Sequence, residues 1–192
     1  MSKTLVVFAH PSHQSFNYSL LETVVEALRR NGNEIQIDDL HATNFDPVTT
    51  TAELLQTHTP DQVAQEQAKV IWADTLLFIF PIWWWAPPAI LKGWLERVLC
   101  RDFAFTYDIG KNRFVGTLGG RGAVIISTSS ADPASYESNW QAESQTSYVK
   151  DIVEMCGIHV VKRINFCDVH AYTAAEKLTS YLQEAREWAE NF

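Results

Sequence analysis

Three consecutive tryptophans, Trp83, Trp84 and Trp85, follow the apolar run Phe78-Ile79-Phe80-Pro81-Ile82 and precede Ala86 and the double proline Pro87-Pro88. Three adjacent indoles cannot all point into one core. They suit a flat aromatic wall for a planar ligand, or a seam between two copies of the chain, since aromatic residues are enriched at interfaces. Two further segments concentrate hydroxyl, imidazole and amide groups: His10-Pro11-Ser12-His13-Gln14-Ser15-Phe16-Asn17, and Ser127-Thr128-Ser129-Ser130-Ala131-Asp132 with Tyr136 shortly after.

The elements that position these segments follow from periodicity. Leu5 to Ala9 is a continuous apolar run, as in a strand covered on both faces. A helix is predicted over Phe16 to Arg30, with Leu20, Leu21, Val24 and Leu28 on one stripe and Asn31-Gly32 as its stop. Glu34 to Ile37 reads as a short second strand, and 40–58 as a long loop with at most one helical turn. Thr59-Pro60-Asp61-Gln62 has the form of a capping box that opens a helix to about Trp72. Thr75 to Phe80 is a central strand, followed by a helix after Pro88 with Ile90, Leu91, Trp94, Leu95, Val98 and Leu99 on its buried side. On that helix Lys92 and Glu96 form an exposed pair.

Residues 101–120 read as an irregular aromatic excursion, Ala123 to Ile126 as the fourth strand, and 127–139 as a polar loop before a helix ending at Cys156-Gly157. Ile158 to Phe166 alternates, with His159, Arg163 and Asn165 outward, as an edge strand does. Thr173-Ala174-Ala175-Glu176 is a second capping box, before a helix with Leu178, Tyr181, Leu182, Ala185, Trp188 and Ala189 on one stripe. Trp72, Trp94 and Trp188 lie on helical stripes and read as core. Trp140 borders either the ligand crevice or a dimer seam. Five strands, each followed by a helix, predict an α/β protein: one flavodoxin-like domain over residues 1–192, with a doubly wound five-stranded parallel sheet of order 2-1-3-4-5 and helices on both faces.

In that order the ligand crevice lies above the carboxyl ends of strands 1, 3 and 4, where the three segments meet. The first leads into a helix N-terminus, which offers unpaired N–H groups and partial positive charge to a phosphate. The plainer use of Ser15 or Asn17 is to cap that helix. A ligand with a phosphate, a polar chain and a flat polar-edged ring fits all three loops, and flavin mononucleotide (FMN) has these parts. The spacings of dinucleotide folds and NTP-binding loops, GxGxxG and GxxxxGK[ST], are missing from the first loop.

Composition narrows the field. With 192 residues, 46% hydrophobic and 20% charged, the chain has the make-up of a globular protein with one core. A net charge of −8 argues against a nucleic-acid partner. Cys100, Cys156 and Cys167 are widely spaced and read as free thiols of a reducing compartment, and no histidine pair has metal-ligand spacing, so no metal is expected. Met1-Ser2-Lys3-Thr4 enters a strand at once, without the pattern of a signal peptide, and no apolar run approaches the ~20 residues of a membrane span. A cytoplasmic location is expected.

Ala9-His10-Pro11 with Ser15-Phe16-Asn17, Ala73-Asp74, Phe80-Pro81-Ile82-Trp83-Trp84, and Pro88-Ala89-Ile90-Leu91-Lys92-Gly93-Trp94-Leu95-Glu96-Arg97-Val98 resemble the NAD(P)H:quinone oxidoreductase family. The likeness runs from residue 4 to about residue 166. It implies a homodimer with bound FMN or FAD, reduced by NADH or NADPH and reoxidised by a quinone or similar electron-poor aromatic in a ping-pong cycle. It is thus expected to be an NAD(P)H dehydrogenase (quinone). By the same resemblance His10, Ser15, Phe16 and Asn17 match the phosphate and ribityl loop. Pro81, Ile82, Trp83 and Trp84 match the isoalloxazine loop, and Trp85 is left to face substrate or a partner subunit. Thr128 and Ser129 fall where two threonines are usual, and Tyr136 falls beside the reactive side of the flavin.

Ser130 and Ala131 replace two glycines frequent in the family. Ala142 stands where mammalian members carry a histidine. No clear match exists between Phe45 and Thr59 for the segment that holds the adenosine half of FAD in those members, which favours FMN. Two other roles fit the same motifs: a regulatory flavoprotein docked on a glutathione-gated potassium efflux transporter, and a flavodoxin-type electron carrier.

Overall fold

A computed structural model describes the backbone of residues 1–138 and 140–192 and the side chains outside 137–146. Five strands form a parallel sheet: β1 (Lys3–Phe8), β2 (Glu34–Asp39), β3 (Thr75–Pro81), β6 (Gly122–Thr128) and β7 (His159–Phe166), in the order β2-β1-β3-β6-β7. This is the expected 2-1-3-4-5 arrangement. An added antiparallel hairpin, β4 (Phe105–Asp108) and β5 (Arg113–Gly116), occupies the stretch expected to be irregular. Its strands are only four residues long, and its pairing is fixed by the Phe114 ring against Phe105 and Tyr107, a contact between residues far apart on the pattern.

Helices cover both faces. On one face α1 (Phe16–Arg30) and α7 (Ala175–Glu190) bury Leu20, Val24, Leu28 and Ala185 against Val6, Phe8, Ile79 and Ile126. On the other, α3 (Asp61–Trp72), α4 (Ala89–Val98) and α6 (Trp140–Met155) bury Val70, Trp94, Leu95 and Val153 against Leu5, Val7, Phe78 and Ile125. β3 is buried along its whole length, as its unbroken apolar run requires. Trp94 is fully buried, while Trp72 and Trp188 pack at the margins of the two cores.

Local chemistry departs from the sequence reading at several ends. α3 begins with Pro60 as its cap and no side-chain bond, so the Thr59 box does not form. The box lies nine residues earlier, where Thr50 and Glu53 cap the single turn α2 (Thr51–Leu54). Thr173 does not cap α7 either; its hydroxyl donates to Asp168 O at 2.7 Å and accepts from His170 N at 2.8 Å. The loop expected at 127–139 is shorter, because β6 extends to Thr128 and α5 (Pro133–Ser138) follows. Asp132 anchors α5 by accepting from the Ser135 N–H at 2.9 Å. Trp140 and Ala142 lie outside the described side chains.

Alternation in β7 is broken. Its register on β6 shifts between Ala123 and Val124, which pair with Val160 and Lys162 and leave Val161 as an extra residue. Val160 therefore packs on the α3/α4/α6 side, whereas Ile164 and Phe166 pack on the α1/α7 side.

Candidate functional site

The carboxyl ends of β1, β3 and β6 bring the three loops together, and each pair of loops is joined by a direct contact. The Asn17 Nδ2–H donates to Thr128 Oγ1 at 2.9 Å, linking the first loop to the third. The Ile82 N–H donates to Thr128 O at 2.7 Å, linking the second to the third. The His10 and Trp83 rings meet edge to face at 6.0 Å, linking the first to the second.

In the first loop Ser15 caps α1, its hydroxyl accepting from Tyr18 N at 3.2 Å, so the plainer reading of this serine holds and its own proton stays available. Asn17 is buried, and its Oδ1 has no partner among the described residues. An orphaned acceptor at a helix N-terminus is unusual enough to call for a donor from outside the chain. In the neutral ring His10 Nδ1 either accepts the Ser12 N–H at 3.0 Å, with the proton on Nε2, or donates to Ser12 O at 3.1 Å. Burial, reinforced by the nearby His41 and opposed by the Ser12 backbone bond, lowers the His10 pKa and favours that neutral ring. Phe16 turns the other way, packing on Phe166 and Tyr181 at the α7 side.

The second loop is a tight reverse turn. Trp83 and Ala86 exchange both backbone hydrogen bonds, at 2.9 and 3.1 Å, and the two residues between them, Trp84 and Trp85, have φ of 50° and 59°. Positive φ at both central positions defines a type I′ turn, usually built from Asn and Gly. Two tryptophans there carry backbone strain, and such strain gathers at ligand sites. Trp84 is 88% exposed, Trp85 51% and Trp83 44%, and the rings of Trp84 and Trp85 stand edge to face at 5.8 Å. Pro81 is the buried last residue of β3, opposite Thr128.

In the third loop the side chains of Thr128 and Ser129 are buried and engaged inside the chain, Thr128 with Asn17 and Ser129 with Asn165. The loop's exposed hydroxyl is thus that of Ser130. Tyr136, half-buried on α5, follows this loop. The His13–Asp39 pair was not singled out from the sequence: His13 Nε2 lies 2.7 Å from Asp39 Oδ2 and its ring stacks on Tyr18 at 4.4 Å. Asp39 also accepts from the His41 and Ala42 N–H groups, tying the first loop to the end of β2.

Fold and site together describe a flavodoxin-like protein. The family model for the flavodoxin-like fold matches residues 2–190, and the chain belongs to that family. Within it, the likeness to NAD(P)H:quinone oxidoreductases read from the loops is borne out. An uncharacterised NAD(P)H oxidoreductase of Haemophilus influenzae is 30% identical over 171 residues, covering 86% of this chain and 84% of that one. Ribosyldihydronicotinamide dehydrogenase [quinone] of Mus musculus is 38% identical over 132 residues, covering 56% of this chain and 57% of the relative. The chain thus spans about half the length of the mammalian relatives it matches. The structure of an NAD(P)H:quinone oxidoreductase from Methanothermobacter marburgensis superposes with a TM-score of 0.88 at 27% identity, covering 99% of this chain and 98% of that one.

Proposed function

We propose that this chain is a flavin-dependent NAD(P)H:quinone oxidoreductase, an NAD(P)H dehydrogenase (quinone), that passes electrons from NADH or NADPH to a quinone or similar flat, electron-poor aromatic. The observation that carries this reading is the closed triangle of contacts among the three loops, with the orphaned Asn17 Oδ1 at its helix-terminal corner. The residues present fit FMN. The α1 N-terminus with Ser12, Ser15 and the His10 ring receives the phosphate and ribityl chain. Pro81, Ile82, Trp83 and Trp84 border the ring, and the backbone of Thr128 and Ser129 carries the loop along its polar edge.

When bound, the flavin supplies hydride and electron transfer, so no nucleophilic side chain is required. The chain's part is to orient and to exclude water. Exposed indoles give an aromatic face on which planar donor and acceptor stack in turn, and Tyr136 borders that pocket and donates a hydrogen bond to the ligand. A visible spectrum of the purified protein and FMN titration of the apoprotein test the reading. Yellow protein reduced by NADH or NADPH and reoxidised by a quinone is the expected outcome. Protein that takes up neither FMN nor FAD would sink it.

A homodimer and a cytoplasmic location are part of the same proposal. Free Cys100, Cys156 and Cys167 suit a reducing compartment, and no helix among the described residues is long and apolar enough to cross a membrane. Leu54, Leu55, Ile109 and Phe114 are each more than half exposed, and a cavity of about 740 Å³ opens between α2, α4 and the β4–β5 hairpin. An apolar concavity of this kind favours a second copy as its cover. No observation on the molecule favours a transporter partner.

A further inference from the structure

We propose that Asn165, at the end of β7, is a positioning residue that sets the Ser129–Ala131 backbone against the ring edge of the flavin; this rests on the flavin reading above. Asn165 is paired with Ser127 in the β6–β7 register and is half-buried. Its carboxamide uses both ends. The Ser127 Oγ–H donates to Asn165 Oδ1 at 2.8 Å, and the Asn165 Nδ2–H group donates to Ser129 Oγ and Cys167 Sγ, both at 3.2 Å.

Side chains alternate along the end of β6, so Ser127 and Ser129 turn toward Asn165 while Thr128 between them turns toward Asn17. Two asparagines therefore grip this strand end from opposite faces, one from α1 and one from β7. The Ser129 N–H also donates to Phe166 O at 2.9 Å, and the loop returns by Val169 N to Ser129 O at 2.9 Å and Asp168 N to Ala131 O at 2.7 Å. Among the described residues the N–H groups of Ser130 and Ala131 donate to no backbone carbonyl of the chain. They are the donors this clamp presents.

Clamping has a particular use here. Glycines at these two positions would let a backbone approach a ring freely, whereas Ser130 and Ala131 carry side chains that narrow the allowed path. The path must then be fixed from below, and Asn165 does so with one amide spanning residues 127 and 129. The β7 bulge decides which face of the sheet receives that amide, by switching the strand's alternation after Val160.

The test compares FMN affinity of the wild-type apoprotein with Asn165→Val, Ser129→Ala, the Ser127→Ala/Ser129→Ala pair and the triple variant, with apoprotein melting and the visible band of the bound flavin recorded for each. Asn165→Val is expected to raise the FMN Kd about tenfold, from the loss of two to three modest hydrogen bonds, and to shift the flavin band. Ser129→Ala alone, which keeps β7 intact and covers the case in which the valine variant does not fold, should raise it about threefold. Adding the serine changes to Asn165→Val should alter the Kd less than about twofold, because the same links are already lost. Wild-type binding with an unchanged Kd and band in Asn165→Val and Ser129→Ala overturns the inference and leaves the flavin reading standing. Additive effects overturn the claim that Asn165 acts through the serines. Failure of the wild type to bind any flavin overturns both.

Discussion

At the scale of single residues, the Trp84-Trp85 turn separates binding from stability. Each left-handed non-glycine residue costs about 1 kcal/mol relative to glycine, and an indole that is 88% exposed buries little in return. Trp84→Gly should therefore leave the melting temperature of the apoprotein unchanged or slightly raised while weakening FMN retention, read by thermal melts and flavin titration. Trp84→Ala should weaken retention too, whereas Trp85→Ala should mainly change acceptor preference or dimerisation. Equal flavin loss in the two alanine variants would show that both rings serve the flavin. The importance of this loop was legible from three adjacent indoles, but its strain was not, because nothing in the residue types announces φ above zero. Ser15 showed the opposite: its capping chemistry is local and was readable. The face of the sheet that Asn165 takes was not legible, since the bulge that sets it depends on pairing with β6.

At the scale of elements, the β2 end holds a buried charge group that alternation alone did not reveal. Asp38 is fully buried, and Lys69 on α3 donates to it at 3.0 Å and to Glu66 at 2.6 Å. Trp94 Nε1–H on α4 donates to the other oxygen of Glu66 at 3.1 Å. Two carboxylates face one ammonium, so one of them is pushed toward its protonated form. Burial, then the hydrogen bond and charge of Glu66, raise the Asp38 pKa from 3.8 to about 7, against the pull of Lys69. Glu66 is lowered despite burial, by hydrogen bonds from Asp38, Lys69 and Trp94. A carboxyl with a raised folded-state pKa stabilises the fold fully below its unfolded value and loses that contribution as pH rises to the folded value. The stability of wild type relative to Asp38→Asn should thus fall as pH climbs from about 4 to about 7 and level off above, by denaturant melts across that range. A difference independent of pH would show that Asp38 does not hold the proton. Strands and helices with strong periodicity were legible as elements though not at every end, whereas the hairpin at 105–116 depends on ring contacts across its turn, and the Thr50–Glu53 box, though local, opens too short a helix to show a periodicity.

At the scale of the whole molecule, the parallel order of the sheet followed from the alternation of strands and helices, because so few topologies satisfy it. What covers the outer surface did not follow. Exposed apolar residues on α2 and the hairpin predict self-association, and Leu54→Glu, at a position 72% exposed, should convert a dimer to monomer in sedimentation without unfolding it. A variant that stays dimeric places the seam elsewhere. Gly93 sets a limit on how these layers can be altered: a Cβ there would lie 2.4 Å from Pro47 Cα, so the loop before α2 rests directly on α4. Any side chain at 93 would therefore displace the loop that leads to Thr49 on the cavity wall.

The tight turn of Trp83 to Ala86 has a consequence for descent. A lineage selected only to fold would drift toward Asn-Gly at the two central positions, where the backbone rests at ease. Two large rings at 50° and 59° hold the backbone where only a gain elsewhere offsets its strain. In a descendant that had lost its ligand, this turn is where decay would be written first, and its letters would change toward greater stability.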